Sequence, residues 1–327
     1  MVHKDVIDLS ERFRKLELHA AKSGRETLRV LLNVVGDSQQ STVSGLMEEL
    51  QENIRFLLHS LPPYAPPMNN INRVLLVLES AQVSGEGIEK AKSELGMLYK
   101  ETSDVQSNHE KMAKYLMRVL PQDAVIYTHT LSETVLGVLL RLRRFGNLKL
   151  VIVTESRPNN DGWETARRLA ERGLKVRLTI DAAMPKAIEA CHLVIFGAEI
   201  IKADGSVVGK VGAFPAAILC ELYNKPLYVV ADSNKILPFR QGDFYLNRID
   251  AKAMGVDFSH PSLDITGFYF DITPAHLVHA YVTEMGLFGA NEIQSLVSNR
   301  KVSGWLAQQL NEREKSSAMI SLKDGQI

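Results

Sequence analysis

The stretch VIVTESRP, Val151 to Pro158, decides how this chain is read. With Leu150 it begins as a run of apolar β-formers, turns polar at Thr154, and passes into a helix-period run opened by Asp161 and closed by Gly173. A strand, a polar turn and a crossover helix in that order make the repeating unit of a parallel sheet. Open parallel sheets bind ligands beyond the carboxyl ends of their strands, which puts Glu155 and Arg157 at a position of recognition. A guanidinium there suits a phosphate or carboxylate. The alternative is an arginine that braces its own loop.

The same grammar continues on both sides. Upstream, Ala124 to Tyr127 is a short apolar strand, followed by Thr128-His129-Thr130-Leu131-Ser132-Glu133-Thr134 and a helix through Leu142. Downstream, Val176 to Ile180 ends at Asp181, Leu193 to Phe196 ends at Gly197-Ala198-Glu199, and Leu227 to Val230 ends at Ala231-Asp232. Strands alternating with helices predict an α/β fold, a Rossmann-like, doubly wound and mostly parallel sheet with right-handed crossovers. Asp204-Gly205 is a hairpin signal and predicts a small β-ribbon between Ile201 and Val207. Further on, Phe239 to Asp243 reads as loop, Phe268-Tyr269-Phe270 as a late strand, and Pro274 as the start of a helix to about Met285, before Gly286.

Before residue 121 every long segment has helical period. Val6, Leu9, Phe13, Leu16 and Leu18 start the first stripe, and Leu28, Leu31, Leu32 and Val35 resume after Gly24. Leu46, Leu50, Ile54, Leu57 and Leu58 form another that stops at Pro62-Pro63. The proline-rich Pro62 to Pro67 reads as a stiff connection. Helices are expected from about Asn70 to Ala81 and from Gly87 to Leu120. The expected plan is a helical domain over 1–120, a Rossmann-like domain over 121–310, and a flexible tail over 311–327.

Of the 327 residues, 38 are basic and 38 acidic, so no global field draws in nucleic acid or an anionic membrane. Cys191 and Cys220 lie in apolar runs and read as buried thiols of a reducing compartment. The amino terminus has no apolar signal core, and no run approaches the roughly 18 apolar residues of a spanning helix, so a cytoplasmic protein is expected. Gly205 to Lys210 falls short of a phosphate loop: three residues separate its glycines, and Val211 stands where a Ser or Thr would hold magnesium. No dinucleotide fingerprint follows a strand, His109-Glu110 lacks a second histidine four residues on from the first, and no cluster is spaced for zinc. No cofactor and no metal are expected.

Taken together, the strand-end sequences THTLS (Thr128 to Ser132), TESRP (Thr154 to Pro158), DAA (Asp181 to Ala183), GAE (Gly197 to Glu199), GKVG (Gly209 to Gly212) and ADSNK (Ala231 to Lys235) resemble one family. It comprises the alpha, beta and delta regulatory subunits of translation initiation factor 2B, with ribose-1,5-bisphosphate isomerase and methylthioribose-1-phosphate isomerase. The resemblance covers about Gln122 to Gly289. It implies an amino-terminal helical domain, a Rossmann-like domain, a sugar phosphate held between them and dimerisation through the second. In the isomerases a cysteine stands two residues after the first-strand threonine and an aspartate ends the G-A-D motif; here these positions are Thr130 and Glu199. A thiol of pKa about 8.5 gives up its proton near neutrality far more readily than a threonine hydroxyl. The G-A-E wording is that of the alpha subunits, which look like sugar-phosphate binders without chemistry. Gly209 and Ala213 replace the asparagine and threonine of an N-K-x-G-T pattern.

The resemblance therefore implies an alpha-subunit-like homodimer that binds a phosphorylated sugar or nucleotide, with other initiation-factor-like subunits as further partners. Thr130 and Glu199 hold the catalytic positions in a silent form. His129, Ser132, Arg157, Asp181, Lys210 and Lys235 are the ligand-binding candidates, Arg157 and Lys210 for anionic groups and Asp181 for sugar hydroxyls. Two other readings stand beside it: an active aldose-ketose isomerase using Glu199 with His129 through water, and a structural interaction module. Phe268, Tyr269, Phe270, Leu277, Tyr281 and Met285 form the apolar surplus expected at the dimer interface.

Overall fold

The computed structural model describes residues 1–15, 17–61, 64–102, 105–239, 248–249 and 251–312. The expected tail from residue 313 on, and the expected loop from residue 240 on, lie outside the described residues. The chain divides into two compact units: 1–104 with 237–243 and 299–327, and 105–236 with 244–298.

The first unit contains α1 (Lys4–Arg14), α2 (Ala20–Asp37), α3 (Val43–Leu58), α4 (Ala65–Ser84) and α5 (Ile88–Thr102), with a further helical run over 304–312. Gly24, after which the second set of apolar residues continues, lies inside α2, and α4 passes close to it. A Cβ there would sit 2.5 Å from Cβ of Pro66, and the Asn70 amide donates to its carbonyl at 2.8 Å. The proline-rich segment differs from expectation. Pro66 and Pro67 fall in the first turn of α4, where proline needs no amide and its fixed φ suits the helix.

The second unit opens with α6 (Val105–Met117); of the helix expected from Gly87 to Leu120, Ile88–Thr102 and Val105–Met117 are helical, and residues 103–104 between them lie outside the described residues. Then follow β1 (Ala124–Thr128), α7 (Glu133–Arg144), β2 (Leu148–Thr154), α8 (Asp161–Glu171), β3 (Val176–Thr179), α9 (Met184–Glu189), β4 (Leu193–Phe196), β5 (Ile200–Ile201), β6 (Val207–Lys210), α10 (Ala213–Leu222) and β7 (Leu227–Val230). After these come β8 (Arg248–Ile249), β9 (Gly267–Phe268), β10 (Phe270–Thr273), β11 (Ala280–Thr283), β12 (Gly286–Phe288) and α11 (Ala290–Ser298). The main sheet has the order β12-β11-β7-β4-β1-β2-β3. Its neighbours pair in parallel except β12, which runs antiparallel to β11.

The inner strands β1, β4 and β7 and the second half of β2 read as continuous apolar runs because both faces are covered, whereas the edge strand β3 is half-exposed, with Leu178 45% exposed. Ile126, Val151, Val153, Ile195 and Val230 point into a core with α6, α7 and α8 residues such as Leu116, Leu139 and Leu169. Tyr127, Ile152, Val194, Val229 and Tyr281 point the other way, into a core with Ile188, Ala217 and Ile293 of α9, α10 and α11. Both thiols lie in this second core, where burial pushes Cys191 up to about 11 and Cys220 up to about 12. The expected ribbon is present: β5 and β6 pair antiparallel around a turn with Gly205 at φ +83°, and β10 adds a third strand.

The helix expected from Pro274 to Met285 is not formed. A short 3-10 turn, Ala275–Leu277, leads instead into β11 and β12. Tyr281, expected at a dimer interface, is fully buried in β11, and its hydroxyl donates to the Gly205 carbonyl. No helix of the described residues is long and apolar enough to cross a membrane.

Candidate functional site

From β1 the chain steps outward through β2 to β3, then returns to the other side of β1 with β4. Between β1 and β4 the winding reverses, and the loops beyond the carboxyl ends of these two strands open the crevice where doubly wound folds bind ligands. The Thr128 hydroxyl joins the pair by donating to the Ile195 carbonyl at 2.8 Å. Ser132 caps α7, accepting from the Val135 amide at 3.3 Å. Gly197 packs closely opposite it: a Cβ there would lie 2.6 Å from the Ser132 hydroxyl, so the cap would have to shift.

His129 is buried beneath this crevice, and its tautomer follows from its partners. Nε2 lies 2.7 Å from the Val211 carbonyl, which can only accept, so Nε2 carries the proton. Nδ1 then accepts from the Thr154 hydroxyl at 3.1 Å, and that hydroxyl accepts from Tyr127 at 3.1 Å. Burial holds the imidazole pKa below its ordinary value, consistent with a neutral ring. The ring also dictates a glycine at 212: the residue has φ +104°, and a Cβ would come within 2.9 Å of the imidazole. His129 thus fastens the loop after β6 to the ends of β1 and β2, with both nitrogens engaged inside the protein.

Thr130 has a left-handed backbone at φ +61°, a conformation that β-branched residues rarely adopt. Its carbonyl accepts from the Thr165 hydroxyl of α8 at 2.8 Å, and its own hydroxyl reaches Oδ2 of Asp161 only at 3.5 Å. The same Asp161 oxygen pairs with Nζ of Lys210 at 3.1 Å, and the ammonium lies 5.0 Å from the centre of the Tyr269 ring. After β4, Glu199 pairs with the buried Lys235 at 3.3 Å. Glu133 is paired as well, through Arg168 at 3.0 Å.

Arg157 and Asp181 have local duties. The Asp181 carboxylate accepts from the Ser156 amide at 2.9 Å and the Arg157 amide at 2.8 Å, fixing the turn after β2 around Ser156 at φ +61°. The Arg157 guanidinium donates to the Pro158 carbonyl at 3.2 Å and the Met254 carbonyl at 2.7 Å. The guanidinium thus ties the turn after β2 to the segment around Met254.

Sequence reasoning missed two carboxylates. Asp161 reads in sequence only as the start of a helix. Asp271 comes from β10, and its Oδ2 accepts from the amides of Gly212 at 2.7 Å and Phe214 at 3.1 Å at the start of α10. Burial lifts its pKa to about 6, and among the described residues its Oδ1 is buried without a hydrogen-bond partner. A motif search along β1 to β7 had no signal for it, since it lies 59 residues after Gly212.

The family model of the initiation factor 2 subunit family matches residues 18–290, most of the chain. The chain belongs to that family. Among its relatives, translation initiation factor eIF2B subunit alpha of Dictyostelium discoideum is 27% identical over 275 residues, covering 80% of this chain and 86% of that protein. Ribose 1,5-bisphosphate isomerase of Archaeoglobus fulgidus is 25% identical over 295 residues, covering 86% of this chain and 89% of that enzyme. In fold, a chain of the tetrameric eIF2B-beta2-delta2 complex from C. thermophilum superposes with a TM-score of 0.71 at 18% identity, covering 90% of this chain and 93% of that one. The family therefore spans both regulatory subunits and isomerases, and the helical region followed by a mostly parallel sheet is its architecture.

Proposed function

We propose that this member is a non-catalytic, alpha-subunit-like regulator that binds a phosphorylated sugar or nucleotide at the carboxyl ends of β1 and β4. One observation carries the reading: a threonine, Thr130, stands two residues after the first-strand Thr128, where the resemblance to the isomerases implies a cysteine. An alkyl hydroxyl has no accessible pKa for proton exchange near neutrality, whereas a thiol does. The second catalytic position supports it. Glu199 carries its carboxylate one methylene further than an aspartate would and is held by Lys235 at 3.3 Å, and misplacement of about 1 Å costs on the order of a hundredfold. His129, the alternative acid of an active isomerase, spends its proton on the Val211 carbonyl.

Turnover of ribose-1,5-bisphosphate and methylthioribose-1-phosphate to their ketose products is expected to be undetectable. Thr130→Cys alone should not restore it while Glu199 remains. Sustained turnover by the unaltered chain on either substrate would overturn the non-catalytic reading and install the isomerase.

The reading includes a homodimer through the second unit and association with other initiation-factor-like subunits in the cytoplasm. Of the residues expected at the interface, Tyr281 and Phe270 are buried while Phe268 and Met285 stay exposed; α10 adds a second apolar surface for self-association, where Phe214, Ile218 and Leu222 are exposed at 36%, 46% and 68%. Four residues apart, they form one apolar row. Sedimentation at micromolar concentration should give twice the chain mass, and Ile218→Glu should give a folded monomer. A monomeric unaltered chain removes the dimer, and a dimer that survives Ile218→Glu removes α10 from its interface.

A further inference from the structure

We infer that Asp161 sets the anion affinity of the strand-end site: its carboxylate is an internal counter-ion on Lys210 that an anionic ligand must displace. The inference rests on the sugar-phosphate or nucleotide reading of this site. Of the candidate ligand-binding side chains, Lys210 and Lys235 are the compact point charges suited to a phosphate. Both already carry a carboxylate, Asp161 at 3.1 Å and Glu199 at 3.3 Å. The Lys210 pair is partly withdrawn from solvent, with side chains 11% and 22% exposed, so its attraction is screened less than that of a surface pair.

The remaining surroundings hold the pair in place. Tyr269 lies against the ammonium, its ring centre 5.0 Å away, and favours a cation there. Asp161 is the first residue of α8, where the helix dipole favours a negative charge, so the carboxylate has two reasons to stay. A phosphate that approaches Lys210 therefore meets a neutralised cation and a resident anion. Its binding requires that Asp161 rotate away or share the ammonium at the cost of repulsion. An isosteric amide at 161 would free Lys210 while keeping the shape of the site.

Calorimetric titration with ribose-1,5-bisphosphate, and with ribose as the uncharged control, tests this on the full chain. Asp161→Asn is expected to bind the bisphosphate about ten- to a hundredfold more tightly than the unaltered chain, by removal of one charge a few ångströms from the phosphate. Ribose binding should not change, and Lys210→Met should weaken the bisphosphate. Asp161→Ser, which removes the charge by a smaller polar side chain, is the second variant and should act in the same direction. Equal or weaker bisphosphate binding by both Asp161 variants, with Lys210→Met still weakening it, overturns the counter-ion role and leaves the ligand reading intact. Tighter binding by the Asp161 variants with no effect of Lys210→Met also overturns it, because Lys210 would then not be the contested cation. No bisphosphate binding by any of these proteins removes the ligand reading and the inference with it.

Discussion

Tyr281→Glu is expected to yield a chain that does not fold. Tyr281 is fully buried in β11 and packs within the core that includes Ile188, Ala217 and Ile293, and its hydroxyl donates to the Gly205 carbonyl in the ribbon turn. Removing a buried large aromatic costs about 3–5 kcal/mol through lost burial and the cavity left behind. The carboxyl group then has either to ionise in an apolar core or to take up a proton to avoid it, and each adds several kcal/mol more. The sum rivals a total stability that for a protein domain is about 5–15 kcal/mol. Tyr281→Phe, which keeps the ring and gives up one hydrogen bond, should cost only about 1–3 kcal/mol and remain folded. Chemical denaturation monitored by circular dichroism separates the two. A soluble Tyr281→Glu protein with a cooperative transition would show that this side chain is not part of the core.

The same residue shows where the sequence stops being legible. Leu277 and Tyr281 are four residues apart behind a proline, a pattern that reads as a helix start with its first apolar stripe. Tertiary pairing with β7 wins instead, and Ala280–Thr283 is too short to show the alternation of a strand. The inner strands between Ala124 and Val230 were legible because strands buried on both faces are apolar runs, and the turns that end them are polar; the edge strand β3, half-exposed, was legible by its place in the strand–helix alternation. Pro66 and Pro67 misled for the opposite reason. A glycine and prolines that normally interrupt helices here permit two helices to cross closely, a fact that belongs to α2 and α4 jointly and to neither segment alone.

The site was legible as a set of residue types at strand ends, and its electrostatics were not. That Lys210 and Lys235 lie near a ligand crevice follows from topology. That each is already paired depends on Asp161 and Glu199, 49 and 36 residues away along the chain. Arg157 could be read as a phosphate ligand or as a brace of its own loop, and the sequence carried no sign of its contact with the Met254 carbonyl, 97 residues away. Asp271 had no signal because a strand of the smaller sheet delivers it to the start of α10.

Gly162→Ala should disable the site and destabilise the second unit together. Gly162 is the second residue of α8, and its amide donates to the Glu155 carbonyl at 3.1 Å, so the helix begins directly against the end of β2. A Cβ at 162 would lie 1.8 Å from the Thr154 carbonyl oxygen and 2.9 Å from its carbon. Both atoms are backbone, so no rotamer can relieve the clash, and either the strand end or the helix start has to shift. Overpacking of this kind costs about 1–3 kcal/mol and more where relaxation is blocked, and Gly162 belongs at the upper end. The shift moves the groups that define the site: Thr154 orients His129, and Asp161 holds Lys210. Gly96→Ala is the control. It lies in α5 with nothing within 4 Å of the added carbon, so it should gain about 0.5–1 kcal/mol from reduced backbone freedom in the unfolded chain. Urea unfolding of both variants beside the unaltered chain gives the comparison, and a midpoint for Gly162→Ala equal to that of the unaltered chain would mean that α8 does not begin against β2.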